Sequence, residues 1–234
     1  MNFDKPMTIG VLIIATNKYK QFIQQLLYSI DRYFFRHDKV NIYLFIDDLI
    51  FSFNTTDRIN IVKIIIPPDK FPTVTLHRYK YFTEASDKID CEYLFYSDVD
   101  MRFVGEVGKE ILPNKKELLT AVLHPGFYKG NGSWCNNEHS TAFTVNKNKY
   151  FAGGFQGGER DKYLEVCKLL SNNISKDEEK GIIAEWHDES HWNCYLSKNY
   201  FKELTPSYCY PEGWHIPFVK RLLALNKNHA EIRS

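Results

Sequence analysis

Tyr93-Leu94-Phe95-Tyr96-Ser97-Asp98-Val99-Asp100 is an apolar stretch that ends in two aspartates separated by one residue. Its apolar part has the length and composition of a buried β-strand. Residues two apart in an extended chain project to the same face, so the carboxylates of Asp98 and Asp100 can reach one hard cation. Open α/β sheets bind ligands at this carboxyl end of their strands. We therefore interpret the pair as a site for a cation that carries a diphosphate, although such a triplet is also common at polar strand ends and turns.

The segments before this strand alternate between two hydrophobic periodicities. Nearly unbroken apolar runs indicate buried strands, and apolar residues three or four apart indicate helices. We predict strands over Thr8–Ala15, Val40–Ile46, Ile59–Ile66 and Tyr93–Ser97, and helices over Tyr19–Phe35 and Thr73–Lys88. This alternation is typical of a doubly wound α/β sheet.

The alternation weakens after Pro113. A strand is predicted near Leu118–Leu123, followed by a polar stretch over 129–139 and helices over Asp161–Leu170 and Glu189–Leu196. The segment Gly153–Gly158 lacks the G-x-G-x-x-G spacing of a phosphate loop, and no buried strand clearly leads into it. We interpret it as a place where the backbone approaches a ligand closely, with an ordinary glycine-rich turn as the alternative.

Composition restricts the possible functions. A chain of 234 residues suits one large domain, and a net charge of +1 gives no long-range attraction to nucleic acid. Five widely spaced cysteines argue against a disulfide framework or a zinc site. Because neither a signal peptide nor a membrane span is recognisable, we expect a soluble, cytoplasmic protein without a transmembrane segment.

The densest group of chemically active residues is Trp186-His187-Asp188-Glu189-Ser190-His191-Trp192-Asn193. Indole and imidazole rings can cover sugar faces, and carboxylates can act on positive charge at an anomeric carbon. Structural roles remain open at this point: Asp188 or Ser190 as a helix cap, and the two histidines as core groups. A zinc site from His187 and His191 is a further alternative, but the glutamate of a metalloprotease helix is missing.

His124-Pro125-Gly126-Phe127-Tyr128 follows a predicted strand and offers a histidine and two aromatic rings for an acceptor sugar. Taken alone, this segment is equally consistent with a turn that packs its rings into the core. Only together with the other motifs does this segment favour an acceptor-sugar site.

These segments, in this order, resemble glycosyltransferase family 6, the retaining enzymes that include the blood-group A and B transferases and the α-1,3-galactosyltransferase. The similarity extends from about Thr8 to Pro217. It is carried by Ser97-Asp98-Val99-Asp100-Met101, by residues 186–191 with Asn193, and by Pro206-Ser207-Tyr208-Cys209. His124-Pro125-Gly126-Phe127-Tyr128 and Tyr210-Pro211-Glu212-Gly213-Trp214 resemble the bacterial or phage members.

The resemblance implies a nucleotide-sugar transferase fold of the GT-A type, with a single Rossmann-like mixed sheet flanked by helices. It implies one catalytic domain over 1–234, with a nucleotide-binding half over about 8–100 and an acceptor and catalytic half over about 101–220. The donor would be a UDP-sugar. The positions that match the family's donor contacts are Ile14, Ala15, Thr16, Tyr19, Arg78, Asp98, Val99, Asp100, Ala152, Gly153, Gly154 and Asp188.

Asp98 and Asp100 match the family's manganese pair, which favours a Mn²⁺-dependent enzyme. Glycine at 154 matches the family members that transfer N-acetylgalactosamine, because it leaves room for the N-acetyl group. Glu189 matches the carboxylate proposed to act as nucleophile or electrostatic stabiliser. The acceptor contacts implied are His124, Phe127, Trp186, His187 and Trp214.

The expected reaction is transfer of N-acetylgalactosamine from UDP in α-1,3 linkage, with retention, to a β-galactoside that is fucosylated or not. The alternatives are a UDP-galactose-using α-1,3-galactosyltransferase and a catalytically weak sugar-binding protein or UDP-sugar hydrolase. The stretch Gly132-Ser133-Trp134-Cys135-Asn136-Asn137 departs from the family pattern and leaves the acceptor contacts there open.

Overall fold

The chain folds around a seven-stranded β-sheet, and the computed structural model describes residues 7–233. Strands in the described residues are β1 (Thr8–Ala15), β2 (Lys39–Ile46), β3 (Ile59–Ile65), β4 (Tyr93–Ser97), β5 (Met101–Phe103), β6 (Leu119–Leu123), β7 (Phe151–Glu159), β8 (Lys202–Leu204), β9 (Tyr210–Pro211) and β10 (Leu222–Ala224). The main sheet has the order β3-β2-β1-β4-β7-β6-β8. Its first four strands are parallel, and β7 runs antiparallel to both neighbours.

The helices are α1 (Ile23–Tyr33), α2 (Thr73–Leu76), α3 (Arg78–Glu84), α4 (Arg160–Glu178), α5 (His187–Leu196) and α6 (His229–Arg233). They cover both faces of the sheet. In β1, Val11 and Ile13 pack with α1 on one face, while Leu12 packs with α3, α4 and α5 on the other. Such burial on both faces explains why the strand is apolar without interruption. The α/β class with a mixed sheet flanked by helices is therefore confirmed.

The predicted bounds of β1 and β4 match the structure, but the predicted helix over Thr73–Lys88 is wrong in its continuity. It is divided into α2, α3 and a 3₁₀ turn at Ser86–Lys88. The break lies at His77, where the Thr75 carbonyl accepts a hydrogen bond from Arg78 Nε at 3.3 Å. The predicted helix over Tyr19–Phe35 likewise begins as a 3₁₀ turn, and α4 extends well beyond the predicted end at Leu170.

The glycine segment lies in β7, in the middle of the sheet, and is not a turn. A side chain at Gly157 would overlap the Leu94 carbonyl oxygen, so close strand packing requires glycine there. Pairing with β6 is interrupted within this strand: Ala121 pairs with Gln156, but Val122 pairs with Ala152. Residues 153–155 therefore have no partner in β6, and we call them the glycine bulge.

A second, three-stranded sheet was not predicted. It has the order β5-β10-β9 and lies beyond the carboxyl end of β4. The residue after β10, Leu225, donates its backbone N–H to the Asp100 carbonyl at 3.0 Å. The small sheet thereby brings the C-terminal segment beside the aspartate pair.

All five cysteines are buried as free thiols. Burial raises the pKa of Cys91 to about 12, so this thiol stays protonated at neutral pH. None of the helices formed by residues 7–233 is both long enough and apolar enough to cross a membrane.

Candidate active site

A cavity opens at the carboxyl ends of β1 and β4, beside α2 and α3. It is lined by Ile14, Thr16, Tyr19, Phe71, Val74, Thr75, Arg78, Tyr96, Asp98, Val99, Asp100 and Lys227. The structure thus brings seven of the predicted donor residues to one place, although they come from three separate parts of the sequence. Tyr96 and Lys227 were not predicted as site residues.

Asp98 is oriented by its neighbours on three sides. Its Oδ1 accepts a hydrogen bond from the Tyr96 hydroxyl and lies 3.6 Å from Arg78 Nη2. Its backbone N–H donates to the Gly154 carbonyl at 2.9 Å. Tyr96 precedes Asp98 by two residues on an extended chain, so the two side chains share a face.

Asp100 is almost fully buried, and its Oδ2 forms an ion pair with the Lys227 ammonium. A positive charge is therefore already accommodated next to this carboxylate. Within residues 7–233, no group of three or more histidine, cysteine or acidic side chains could hold a metal. A divalent cation on Asp98 and Asp100 would need further oxygen ligands from a bound diphosphate or from water.

Arg78 occupies the centre of the site and is only 4% exposed. Its Nε lies 3.0 Å from Asp188 Oδ2, and its Nη1 donates to the Gly153 carbonyl at 3.0 Å. The guanidinium carbon lies 4.4 Å from the centroid of the Tyr96 ring. Burial alone would lower the pKa of Arg78, but Asp188, Tyr96 and Asp98 together hold it above its ordinary value.

The first turn of α5 carries two adjacent acidic side chains, Asp188 and Glu189. Glu189 Oε2 accepts a hydrogen bond from the Gly153 N–H at 2.7 Å. Burial raises the pKa of Glu189 to about 7, although the Gly153 N–H opposes the shift. Burial also raises the pKa of Asp188 to about 7 against the influence of Arg78. Both carboxyl groups therefore change their protonation state near neutral pH.

The glycine bulge connects the two acidic clusters. A Cβ atom on Gly153 would lie 3.2 Å from Glu189 Oε2, and one on Gly154 would lie 3.0 Å from Asp98 Oδ2. Asp98 and Glu189 therefore flank the same two glycines, although 91 positions separate them in the sequence (189 − 98). The bulge also supplies the backbone groups that bind Arg78 and Glu189.

His124 and Phe127 pack against Tyr150, with ring centroids 5.8 and 5.4 Å from the tyrosine ring. Burial lowers the pKa of His124 to about 4, so the ring is neutral at pH 7. Its Nδ1 accepts the Gly126 N–H at 3.0 Å, which leaves the hydrogen on Nε2. Burial raises the pKa of Tyr150, and the charge of neighbouring Glu189 raises it further.

The other predicted acceptor residues, Trp186, His187 and Trp214, are found in three different surroundings. Half of Trp186 is exposed, and its Nε1 donates to Ser133 Oγ, in the stretch that departs from the family pattern. The His187 ring packs edge-on against Phe71, which lines the main cavity. Trp214 lines a second cavity that lies on the other side of Asp98 and Asp100.

The structural interpretation applies to one of the two histidines of this motif. His191 is buried, with Nε2 3.8 Å from Asp177 Oδ2 and Nδ1 3.4 Å from Thr141 Oγ1. Because His187 faces Phe71 instead, the structure does not support a shared zinc site. Asp188 contacts Arg78, whereas Ser190 Oγ accepts the Trp186 N–H at 3.0 Å and so caps the start of α5.

The mixed sheet and its cavity, with two strand-end carboxylates and a buried arginine beneath them, define a glycosyltransferase with a GT-A-like fold. Comparison of sequences gives the family. The sequence model of glycosyltransferase family 6 matches residues 2–234, and the chain belongs to this family.

Several relatives align over nearly the whole chain. Histo-blood group ABO system transferase 1 of Rattus norvegicus is 32% identical over 243 aligned positions, which cover 97% of this chain and 69% of the relative. Globoside alpha-1,3-N-acetylgalactosaminyltransferase 1 of Gallus gallus is 28% identical over 251 positions, covering 97% and 70%. O-antigen biosynthesis glycosyltransferase WbnI of Escherichia coli is 27% identical over 215 positions, covering 89% and 90%.

Proposed function

We propose that this glycosyltransferase moves N-acetylgalactosamine from UDP-N-acetylgalactosamine, with retention and in α-1,3 linkage, to a β-galactoside. The observation that carries the proposal is the glycine bulge, because it lies between Asp98 and Glu189. A sugar held against the bulge would have its diphosphate near Asp98 and its anomeric carbon near Glu189. The globoside transferase of Gallus gallus carries this linkage and sugar in its name.

In this proposal, the nucleotide binds at the carboxyl end of β1. Ile14, Ala15, Thr16 and Tyr19 would contact uracil and ribose. The diphosphate would lie between Arg78 and Lys227, since both cations border the cavity beside the aspartate pair. Their charges would offset the negative charge that develops on the departing UDP.

Asp98 and Asp100 would hold Mn²⁺ together with the diphosphate oxygens. When bound, the ion would supply Lewis-acid assistance to the leaving group. Tyr96 engages Oδ1 of Asp98, so Oδ2 is the oxygen better placed to coordinate. The Lys227 ammonium would have to move away from Asp100, because it and Mn²⁺ would compete for the same carboxylate.

Glu189 would act on the anomeric carbon from the side opposite the departing diphosphate. Retention requires either two displacements through this carboxylate or a short-lived ion pair that it stabilises. In both routes the bond from the anomeric carbon to the diphosphate breaks and a bond to the acceptor 3-oxygen forms. The proton of that hydroxyl passes to a diphosphate oxygen of the departing UDP. Glu189 must be ionised for this role, which its pKa of about 7 permits at and above neutral pH.

The choice of donor sugar rests on Gly154. Any larger residue would place its Cβ 3.0 Å from Asp98 Oδ2 and 3.5 Å from Met101 Sδ. Glycine thus avoids crowding Asp98, and we assign the N-acetyl group to the sugar-facing side of the bulge beside Gly154. A UDP-galactose donor needs less room, and it remains the alternative donor.

His124, Phe127, His187, Trp186 and Trp214 are the proposed acceptor residues. Neutral His124 would donate a hydrogen bond from Nε2 to a sugar hydroxyl. A sugar-binding protein and a UDP-sugar hydrolase are the competing functions, motivated by the altered stretch at residues 132–137. The ordered set of Asp98, Arg78 and Glu189 favours catalysis instead.

A transfer assay with UDP-N-acetylgalactosamine, UDP-galactose and UDP-glucose, each with and without Mn²⁺, tests the proposal on β-galactoside acceptors. We expect N-acetylgalactosamine transfer that depends on Mn²⁺. Glu189→Gln should reduce it about 100-fold or more while calorimetric UDP binding persists. Glu179→Gln, at an exposed position at the end of α4, is the matched control. Full transfer by Glu189→Gln would refute its catalytic role, and UDP release without any acceptor would indicate a hydrolase.

A further inference from the structure

Two buried side-chain amides hold the ends of the glycine bulge. Asn193 of α5 is 1% exposed, and its Oδ1 accepts the Phe151 N–H at 2.7 Å. Its Nδ2 donates to the Phe151 carbonyl at 2.8 Å and to the Glu189 carbonyl at 2.9 Å. The Asn193 amide thus pairs with Phe151 as a neighbouring strand would, two residues before the bulge begins.

Gln156 holds the other end. Its side chain is fully buried, and its Nε2 donates to the Gly153 carbonyl at 3.1 Å. Its Oε1 accepts from the Tyr79 hydroxyl at 3.1 Å, in the layer beneath the site. Because Gly153 has no partner in β6, this amide replaces a missing hydrogen bond of the sheet.

Packing alone does not explain two amides at these positions. A buried amide loses its hydration, and it contributes to stability only when its hydrogen bonds are satisfied. An apolar side chain of the same size would fill either position without that cost. Here each amide makes at least one hydrogen bond to the strand that forms the bulge, and neither side chain lines the cavity beside β1 and β4.

Both amides act on Glu189. Asn193 binds the Glu189 backbone one turn away on α5 and fixes that helix against β7. Gln156 fixes the peptide of Gly153, whose N–H binds the Glu189 carboxylate. The same Gly153 carbonyl accepts a hydrogen bond from Arg78 Nη1, so the bulge orients a carboxylate and a cation together.

We propose that Asn193 and Gln156 are positioning residues that set the geometry of the glycine bulge and thereby aim the Glu189 carboxylate at the reacting carbon. The inference rests on the proposed transferase function. In this inference the backbone of Gly153 holds the side chains of Glu189 and Arg78 in fixed positions relative to each other.

The kinetic test compares Asn193→Ala and Gln156→Met with wild type, using Asn41→Ala as control. Asn41 also uses its amide in hydrogen bonds, but it lies near the amino end of β2, away from the carboxyl strand ends that form the cavity. We expect kcat for transfer to fall at least about tenfold in both bulge variants, since small misplacements of a reacting group are costly. The calorimetric Kd for UDP should change much less than kcat, because the proposed uracil and ribose contacts belong to β1, while Arg78 connects the bulge to the diphosphate. Asn41→Ala should change neither quantity.

Asn193→Asp provides a variant of the same shape in case Asn193→Ala folds poorly. Aspartate can still accept the Phe151 N–H, but it cannot donate to the carbonyls of Phe151 and Glu189. Because the new carboxylate would face these two carbonyl oxygens, we expect a loss of kcat at least as large as in Asn193→Ala. Wild-type kcat in Asn193→Asp and Gln156→Met would overturn the proposal, as would an equal loss of kcat in Asn41→Ala.

A second measurement is independent of catalysis. Ala152-Gly153 is the only Ala-Gly pair in the sequence, so ¹³C-carbonyl alanine with ¹⁵N-glycine labels the Gly153 amide alone. In wild type this amide should be protected from hydrogen exchange by Glu189. Asn193→Ala and Gln156→Met should exchange it at least about tenfold faster while remaining folded. Unchanged protection in both variants would overturn the proposal.

The two measurements separate the possible failures. Absence of transfer by the wild type with every donor, combined with the expected change in Gly153 exchange, would refute the proposed function and leave the positioning role supported. Transfer by the wild type, with unchanged kcat and unchanged Gly153 exchange in the variants, would support the proposed function and refute the positioning role.

Discussion

Arg78 Nε lies 3.0 Å from Asp188 Oδ2, and both side chains are at most 5% exposed. Removing the cation while keeping the carboxylate leaves an uncompensated buried charge. We expect Arg78→Met to lower the free energy of unfolding by about 3–5 kcal/mol at pH 8. The loss should be smaller at pH 5, where Asp188 can take up a proton. Urea unfolding at both pH values measures the difference.

The exposed pair of Arg36 and Glu106 is the control for that experiment. Arg36→Met should cost at most about 1 kcal/mol, because water and salt screen exposed ion pairs. An equal cost for the two arginine variants would contradict the central role of the buried pair.

Glu189 makes the stability of the protein depend on pH. Its folded pKa of about 7 lies above the value of about 4.3 expected in the unfolded chain. The folded state therefore binds more protons than the unfolded state between these values, and stability falls as pH rises through this range. Above pH 7 the contribution is constant.

Glu189→Gln removes this contribution. Relative to wild type, the variant should gain about 2–3 kcal/mol in unfolding free energy between pH 5 and pH 8. Parallel urea titrations at the two pH values measure the gain. Glu179→Gln, at an exposed position, should show no such difference. An identical pH dependence of Glu189→Gln and wild type would mean that the carboxyl group titrates normally.

Gly154 should determine the donor sugar. In Gly154→Ala the new methyl group would lie 3.0 Å from Asp98 Oδ2, in the space assigned to the N-acetyl group. We expect kcat/KM for UDP-N-acetylgalactosamine to fall by about 10- to 200-fold relative to that for UDP-galactose. The ratio of the two values in one competition assay is the readout. An unchanged ratio would place the N-acetyl group elsewhere.

The Tyr96 hydroxyl should support metal binding through Asp98. Without it, Asp98 loses the hydrogen bond that fixes one of its oxygens. We expect Tyr96→Phe to weaken Mn²⁺ binding in the presence of UDP by about 10- to 100-fold. Electron paramagnetic resonance of free Mn²⁺ measures this without turnover. Tyr93→Phe, at the other end of β4, should bind as wild type does.

The parts of the fold that were predictable share one property: their residue pattern is imposed by local burial. β1 and β4 are apolar because both faces of the sheet are covered, so their bounds could be predicted from the sequence. β7 could not, because close approach to β4 selects glycine at Gly157 and removes the hydrophobic pattern. The break at His77 depends on where Arg78 binds, which is a tertiary interaction.

The same distinction holds for the site. Asp98, Asp100 and Glu189 stood out because acidic residues at such positions are unusual and match a family. Tyr96 looked like one more apolar strand residue, and only the structure places its hydroxyl on Asp98. Lys227 lies 127 positions after its partner Asp100 (227 − 100), and spacing alone gives no sign of that contact.

Because all five thiols are buried, their reaction with a reagent in solution reports unfolding of the protein. A thiol-reactive dye should leave the native protein untouched and mark only molecules that have exposed their interior. The rate of dye incorporation over hours would then measure spontaneous unfolding without denaturant, and a bound UDP-sugar would lower that rate.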